Sequence, residues 1–444
     1  MANPRRIAFD VLYKIETEES YSSIAVNKAL KENRLNKLDS SFASAIIYGV
    51  LERKLTLDYI IRQYSSMRLK KIEIKTLILL RMAVLQLLFM DKIPESAAVN
   101  ETVKLAKALK LFKSSGFING LLRSIVRAEE KYDLEKIKDR NKFLSVKYSV
   151  PEEIIKMWIS SYGEETTLDM LSSLTGRPPL YARVNTLKTT VSDLIEELKE
   201  QGIVAEKTDV EGVISIFNTG SVEGLKVFKE GKLYIQDLSS NIALSVLSPK
   251  EGSTLFDVCS APGGKSFTSA LLMNNKGRIF SFDLYEYKIE LIRKTASRLG
   301  ISIIKTQTAD STVIPEEKYL SKVNTVICDV PCSGLGIIRR KPEIRYKDNL
   351  FDNSLKEIQY QILCSSSKLL KSGGRLMYST CTLNPEENNK MVERFLSEHK
   401  DFSGENIILP KNIKRTIEEQ PYECTLFPQT NNSDGFYFAI LRKD

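Results

Sequence analysis

The first 130 residues carry apolar positions at helical spacing. Ile7, Val11 and Ile15 recur every fourth residue with Leu12 beside them, as one buried helix face requires. The same texture runs through "TLDYIIRQY", "IKTLILLRMAVLQLLFM", "AAVNETVKLAKAL" and "GFINGLLRSIVR", without strand-type alternation. Pro94 and Gly116 read as punctuation between helices. An all-α bundle is expected. Residues 77–90 form the most apolar run, but it is too short to span a bilayer and contains Arg81 and Gln86, so it predicts a buried helix.

The texture changes near residue 140. "YSVPEEIIKMWISSYG" predicts a helix opened near Pro151, and "GRPPLYARVNTLK" a loop entering a strand. "TVSDLIEELKEQGI" predicts a helix ended by Gly202, with "GVISIF" and "KLYIQDLSS" as strands or strand ends. This order suggests a small α+β, RRM-like module. Beyond residue 250, the strands "TLFDV", "RIFSFD", "NTVICDV" and "RLMYST" alternate with helices such as "YKIELIRKTASRLG" and "SLKEIQYQILCSSSKLL". That alternation is the mark of a doubly wound, Rossmann-like α/β sheet. "GFYFAILRK" reads as a final edge strand. The expected domains are 1–135, 140–248 and 249–444.

Charge divides along the same line. The chain of 444 residues has a net charge of +9. Residues 1–140 hold 26 basic and 17 acidic side chains, a balance of +9, and the remainder holds 39 of each. A basic helical domain joined to a neutral one suggests a polyanion grip, with phosphate backbone as the favoured anion. A merely solubilising basic face is the plainer alternative. After its arginines "MANPRRIAFD" has no apolar stretch, so a secretory signal is not expected. A cytoplasmic protein with reduced thiols, no membrane partner and no obligate protein partner is expected, as a monomer.

Six cysteines, Cys259, Cys328, Cys332, Cys364, Cys381 and Cys424, form no CxxC pair, and the single histidine, His399, lies in the charged stretch "LSEHK". No metal pattern and no Ser-His-Asp triad can be assembled. Chemistry must run on Cys, Asp, Glu, Lys or a cofactor. Cys328 in "VICD" and Cys364 in "QILCSSS" read as core residues, and Cys424 has no motif around it. Cys332 and Cys381 both follow strand ends. Each could be a core residue or a nucleophile.

Ligands of open α/β sheets bind beyond the carboxyl ends of the strands. After "TLFDV" come Cys259, Ser260, Ala261, Pro262, Gly263, Gly264, Lys265 and Ser266. The glycines allow close backbone approach, and the following helix offers its N-terminus. Neither Walker A nor G-x-G-x-x-G spacing is present. Asp283 ends the next strand, where a carboxylate suits ribose hydroxyls. Asp310 follows "IIKTQT", placed for an adenine amino group, and Asp329 follows "NTVIC". Any one aspartate could simply cap a turn. Together they describe an adenosine-type ligand without a triphosphate, and S-adenosyl-L-methionine is the best candidate.

"DVCSAPGGKS", "DVPCSGLG" and "YSTCTLNPEEN" resemble, in order, the core motifs of S-adenosylmethionine-dependent RNA cytosine-5 methyltransferases. "SAAVNETVKLAK" and "GFINGLLR" resemble the NusB-type RNA-binding helical domain. The pairing is similar to the bacterial 16S rRNA methyltransferase family RsmB/Sun/Fmu, whose implied target is cytosine 967 in conventional 16S numbering. The resemblance implies a cofactor loop at residues 259–265, Asp283 on the ribose, Asp310 on the adenine, and Asp329 near cofactor and base. It implies Cys381 as the nucleophile and Cys332 as an aid to product release. Ser260 stands where many relatives carry Ala, and no loss of binding is expected. Lys265 is a candidate to favour the thiolate. Asn384, Pro385 and Glu386 read as shaping the turn that holds the thiol. The alternatives are a tRNA or other rRNA cytosine as target, or a non-catalytic RNA-binding assembly factor.

Overall fold

A computed structural model of the chain describes residues 3–18, 22–33, 35–217, 219–313, 317–348 and 350–444. They form two compact units: residues 1–167 with 338–348, and residues 168–337 with 349–444.

The first unit is helical. Ile7, Val11, Leu12 and Ile15 are buried along helix Pro4–Glu18, as their spacing predicts. The apolar run forms helix Ile74–Leu88, buried continuously from Thr76 to Gln86. Helix Lys37–Glu52 comes so close to it that a Cβ on Gly49 would lie 2.8 Å from a Leu85 methyl. The polar residues of the run are matched. Arg81 donates to both Asp58 carboxylate oxygens at 2.7 and 2.8 Å and to Glu16 at 2.9 Å. Lys54 reaches the same Glu16 oxygen at 2.8 Å. Gln86 accepts from Arg5 and donates to the Met82 carbonyl. Among the described residues, no helix is long and apolar enough to cross a membrane.

Three details differ from the sequence reading. Pro94 does open helix Glu95–Ala108, but Gly116 lies inside helix Phe112–Arg127. Buried Ile118, Leu121, Leu122 and Ile125 carry that helix past a glycine whose own side faces solvent. Helices Arg140–Tyr148 and Glu152–Tyr162, expected in the middle module, group with the helical unit. So does the segment 338–348, which lies within the span expected for the last domain. Its Arg345 is 2% exposed and donates to the carbonyls of Ser149 and Ile338, while the Tyr346 hydroxyl donates to Ser149.

The second unit contains two sheets. The smaller comprises β1 (Leu180–Val184), β2 (Val204–Lys207), β3 (Val213–Phe217) and β4 (Leu233–Ile235), in the antiparallel order β2-β3-β1-β4. Leu194 and Leu198 of helix Val191–Glu200 pack on Ala182, Val184, Ile214 and Leu233.

The larger sheet contains β5 (Thr254–Asp257), β6 (Arg278–Asp283), β7 (Ile304–Thr308), β8 (Val323–Asp329), β9 (Leu370–Thr380), β10 (Phe402–Gly404), β11 (Glu423–Leu426) and β12 (Phe436–Lys443). Its order is β10-β12-β9-β8-β5-β6-β7, with β11 also on β12. The segment from β9 to β7 is parallel, as expected of doubly wound strands that read as near-continuous apolar runs. Strand β12 is not an edge. It pairs antiparallel with β9, β10 and β11, and residues 436–441 are all buried. The chain leaves β5 toward β6 and later returns to β8 on β5's other side. That reversal opens a crevice beyond the carboxyl ends of β5 and β8.

Candidate active site

The loop after β5 enters the crevice. Gly263 has φ 104°, a conformation that favours glycine, and it caps helix Gly264–Leu272. A side chain there would also strike the Phe267 ring. Ser260 turns its hydroxyl and its amide onto the Phe282 carbonyl, both at 2.8 Å, so the extra oxygen is satisfied inside the loop. The Ala261 amide faces Asp283 at 3.3 Å. Asp283 is nearly buried and also meets Lys288 at 3.2 Å. Asp310 is exposed, and its Oδ1 accepts from the Thr312 amide and hydroxyl, which hold its carboxyl below the usual range. Backbone amides beside two strand-end carboxylates form a donor and acceptor set that fits the diol and amino group of an adenosine.

One carboxylate was not singled out in the sequence. Asp257 ends β5, is fully buried, and accepts from Ser266 at 2.7 Å through Oδ2, while Oδ1 has no partner. Burial, with added repulsion from Asp329 and Asp283, pushes its carboxyl up to about 7. Within "TLFDV" it looks like any strand-end aspartate. Only the tertiary burial distinguishes it.

The loops after β8 and β9 bring the two singled-out thiols together. Cys332 Sγ lies 3.3 Å from Cys381 Sγ, and both residues are half-buried. Contact with Cys381, followed by burial and the charges of Glu387 and Asp329, raises the Cys332 thiol well above its ordinary range. Asp329 uses both oxygens: Lys265 donates at 2.6 Å and Ser379 at 2.7 Å. The Lys265 ammonium, considered in the sequence as a neighbour of the thiolate, is therefore paired with Asp329, and it lies 5.0 Å from the Phe436 ring centre. Gly336 closes the arrangement. Its amide donates to the Cys381 carbonyl at 3.0 Å, and its Cα packs so tightly on Gly435 that any Cβ would lie 2.0 Å from the Gly435 oxygen.

The remaining cysteines stay apart from this chemistry. Cys328 and Cys424 are fully buried, and burial raises both thiols far above their ordinary range. Cys259 is raised in the same way by burial. Cys364 does meet a histidine: its sulfur lies 3.5 Å from His399 Nε2, and His399 stacks on Phe395 instead of standing free in solvent. Burial raises the Cys364 thiol, so the pair does not present a thiolate. Among the described residues no cluster could hold a metal ion.

Glu387 is the second residue absent from the sequence reading. It is 1% exposed and touches both thiol-bearing loops. The turn that carries it is built as expected, with Asn384 capping Pro385–Glu387 through the Glu386 amide.

Three family profiles match the chain. "16S rRNA methyltransferase RsmB/F" covers residues 244–442, "NusB family" residues 2–127, and "Methyltr_RsmF/B-like, ferredoxin-like domain" residues 150–223. The "Probable ribosomal RNA small subunit methyltransferase B" of Bacillus subtilis is 34% identical over 99% of this chain and 98% of its own. The protein of the same description from Synechocystis is 33% identical over the full length of both. The crystal structure of PH0851 matches with a TM-score of 0.84 at 27% identity, covering 100% of this chain and 99% of that one. The helical unit, the ferredoxin-like sheet and the mixed catalytic sheet thus recur together and in order, and the chain belongs to the RsmB/F family of 16S rRNA methyltransferases.

Proposed function

We propose that the protein methylates carbon 5 of a cytosine in 16S rRNA, with position 967 as the implied target, through a covalent bond between Cys381 and carbon 6. The observation that carries this reading is the 3.3 Å approach of Cys332 to Cys381 in the crevice that also holds Asp329. Two adjoining thiols beside a carboxylate suit a chemistry that both forms and releases a covalent adduct.

Carbon 5 of cytosine is too weak a nucleophile by itself. The Cys381 thiolate adds to carbon 6, forming an S–C bond and leaving an enamine at carbon 5. S-adenosylmethionine, when bound, supplies the methyl group on a sulfonium centre. The residues that would hold it are the loop 259–265, with Asp283 at the ribose and Asp310 at the adenine. Asp329, fixed by Lys265 and Ser379, would use its remaining lone pairs to accept from the N4 amino group of the ring. After transfer a base takes the carbon 5 proton. The C–H electron pair restores the ring double bond, the S–C6 bond breaks, and its pair returns to Cys381. Cys381 is the nucleophile and the adjoining Cys332 assists release, the roles that the family resemblance implies for the two thiols. The base must leave its stack to enter the crevice. An rRNA substrate fits a cytoplasmic location, and the basic helical unit would grip the phosphates.

The test is methylation of 16S rRNA with labelled donor, mapped by bisulfite sequencing. One newly protected cytosine at position 967 is expected. Protection of tRNA in place of 16S rRNA, or methyl groups on another ring atom, overturns the reading.

A further inference from the structure

Glu387 is held in an unusual way. Its two carboxylate oxygens offer four lone-pair directions, and four hydrogen bonds reach them. Oε1 accepts from the Ser333 hydroxyl and from Asn384 Nδ2, and Oε2 from the Ser333 amide and from Gln359 Nε2. Three separate segments meet on one side chain: the Cys332 loop, the Cys381 turn and helix Asn353–Ser367. Cys332 is gripped on both sides. Gln359 also donates to the carbonyl of Pro331, the residue before it, while Ser333, the residue after it, is bound to Glu387 twice. On the Cys381 side, Asn384 caps the turn, and the Thr382 hydroxyl meets the Ser333 hydroxyl at 2.7 Å.

Resting on the covalent reading above, we propose that Glu387 is the positioning residue that sets Cys332 against Cys381 and thereby governs the release step. It touches neither base nor cofactor in this role. Its effect is transmitted through Ser333 and Pro331 to the sulfur between them. A carboxylate suits the position best, because an amide NH2 in place of Oε2 would face two donors, the Ser333 amide and Gln359 Nε2, and in place of Oε1 it would face the donor Asn384 Nδ2. With Cys332 displaced, methyl transfer proceeds from Cys381, but the S–C6 bond breaks slowly.

The experiment compares Glu387→Gln with the unaltered protein and with Cys332→Ala, using full-length chains, 16S rRNA and S-adenosylmethionine. The readout is the fraction of protein cross-linked to RNA on a denaturing gel, together with first-turnover methyl transfer. The expected result is at least a tenfold rise in adduct for Glu387→Gln, with first-turnover methylation and donor affinity within about threefold of the unaltered protein. Ser333→Ala, which removes a single hydroxyl, should raise the adduct two- to fivefold and carries the test if Glu387→Gln does not fold. Adduct in Cys332→Ala but none above background in the Glu387 or Ser333 variants overturns the positioning role and leaves the covalent reading standing. Absence of adduct in Cys332→Ala overturns the covalent reading, and this inference with it.

Discussion

The two ends of the chain handle charge in opposite ways. In the helical unit the buried cluster around Arg81 is balanced. Arg81 and Lys54 face Asp58 and Glu16, two cations against two anions, and the surplus of +9 within residues 1–140 is left to the surface. Residues 141–444 are neutral in sum, yet their interior is unbalanced. Asp257, Asp283, Asp329 and Glu387 gather at the loop end of the large sheet, where Lys265 and Lys288 are the paired cations. In a balanced buried cluster the mutual attraction of the charges offsets much of their desolvation. An unbalanced one carries a cost that packing elsewhere must offset, and such imbalance marks sites where chemistry is done. Structural and chemical polarity thus occupy different units, and four changes probe the difference.

The largest expected effect is at Cys381. Cys381→Ala should abolish methylation of 16S rRNA while leaving donor binding within about twofold, because the thiol lies among the base-side residues and not in the loop 259–265. Calorimetric titration with S-adenosylmethionine, beside a methylation assay, measures both. Normal turnover by this variant would place Cys381 with the structural residues.

On the balanced side, Arg81→Met should cost about 3–5 kcal/mol of stability, since it leaves two partly buried carboxylates without their guanidinium. Denaturant unfolding reads this directly. Methylation per folded molecule should persist. A loss of activity without a loss of stability would mean that the helical cluster is not merely structural.

Asp257 tests the unbalanced side through pH. Its folded-state carboxyl titrates at about 7, above the unfolded value of about 4. The stability linked to its protonated form is therefore complete below about pH 4 and is lost as pH rises through 7. The melting temperature of the unaltered protein should fall between pH 6 and 8 more than that of Asp257→Asn, which cannot ionise. Parallel curves for the two proteins would show that Asp257 does not carry this cost.

The sequence revealed these regions unequally. Elements with a long apolar repeat were legible: helix Ile74–Leu88, the parallel strands, and the loops that follow them. The paired cysteines and the aspartates after β6, β7 and β8 could be singled out because strand ends point into one crevice. What escaped depends on burial that no local pattern encodes. Glu387 sits in "NPEEN" beside the exposed Glu386, and nothing in the string tells which of the two turns inward. Asp257 resembles any residue ending a strand. Segment 338–348, "IRRKPEIRYKD", is rich in charged side chains, and nothing local in it announces that Arg345 is buried against backbone carbonyls of the helical unit. Gly116 signals a break that the neighbouring apolar stripe overrides, and "GFYFAILRK" gives no sign that further strands will flank it.

The smallest effect concerns the surface surplus. Lys107, Lys110 and Lys113 are exposed around the end of helix Glu95–Ala108 and the start of helix Phe112–Arg127. Replacing all three with Gln removes charge from the surface without disturbing the Arg81 cluster. If these lysines lie along phosphates, the plot of log affinity for 16S rRNA against log salt should flatten by about 0.7–0.9 for each phosphate that is no longer neutralised. Binding measured from 50 to 300 mM salt gives the slope. Folding and first-turnover methylation at saturating RNA should not change, since the lysines belong to the grip and not to the crevice. An unchanged slope would reduce these three charges to a solubilising role, and the polyanion grip would have to be sought on another face of the helical unit.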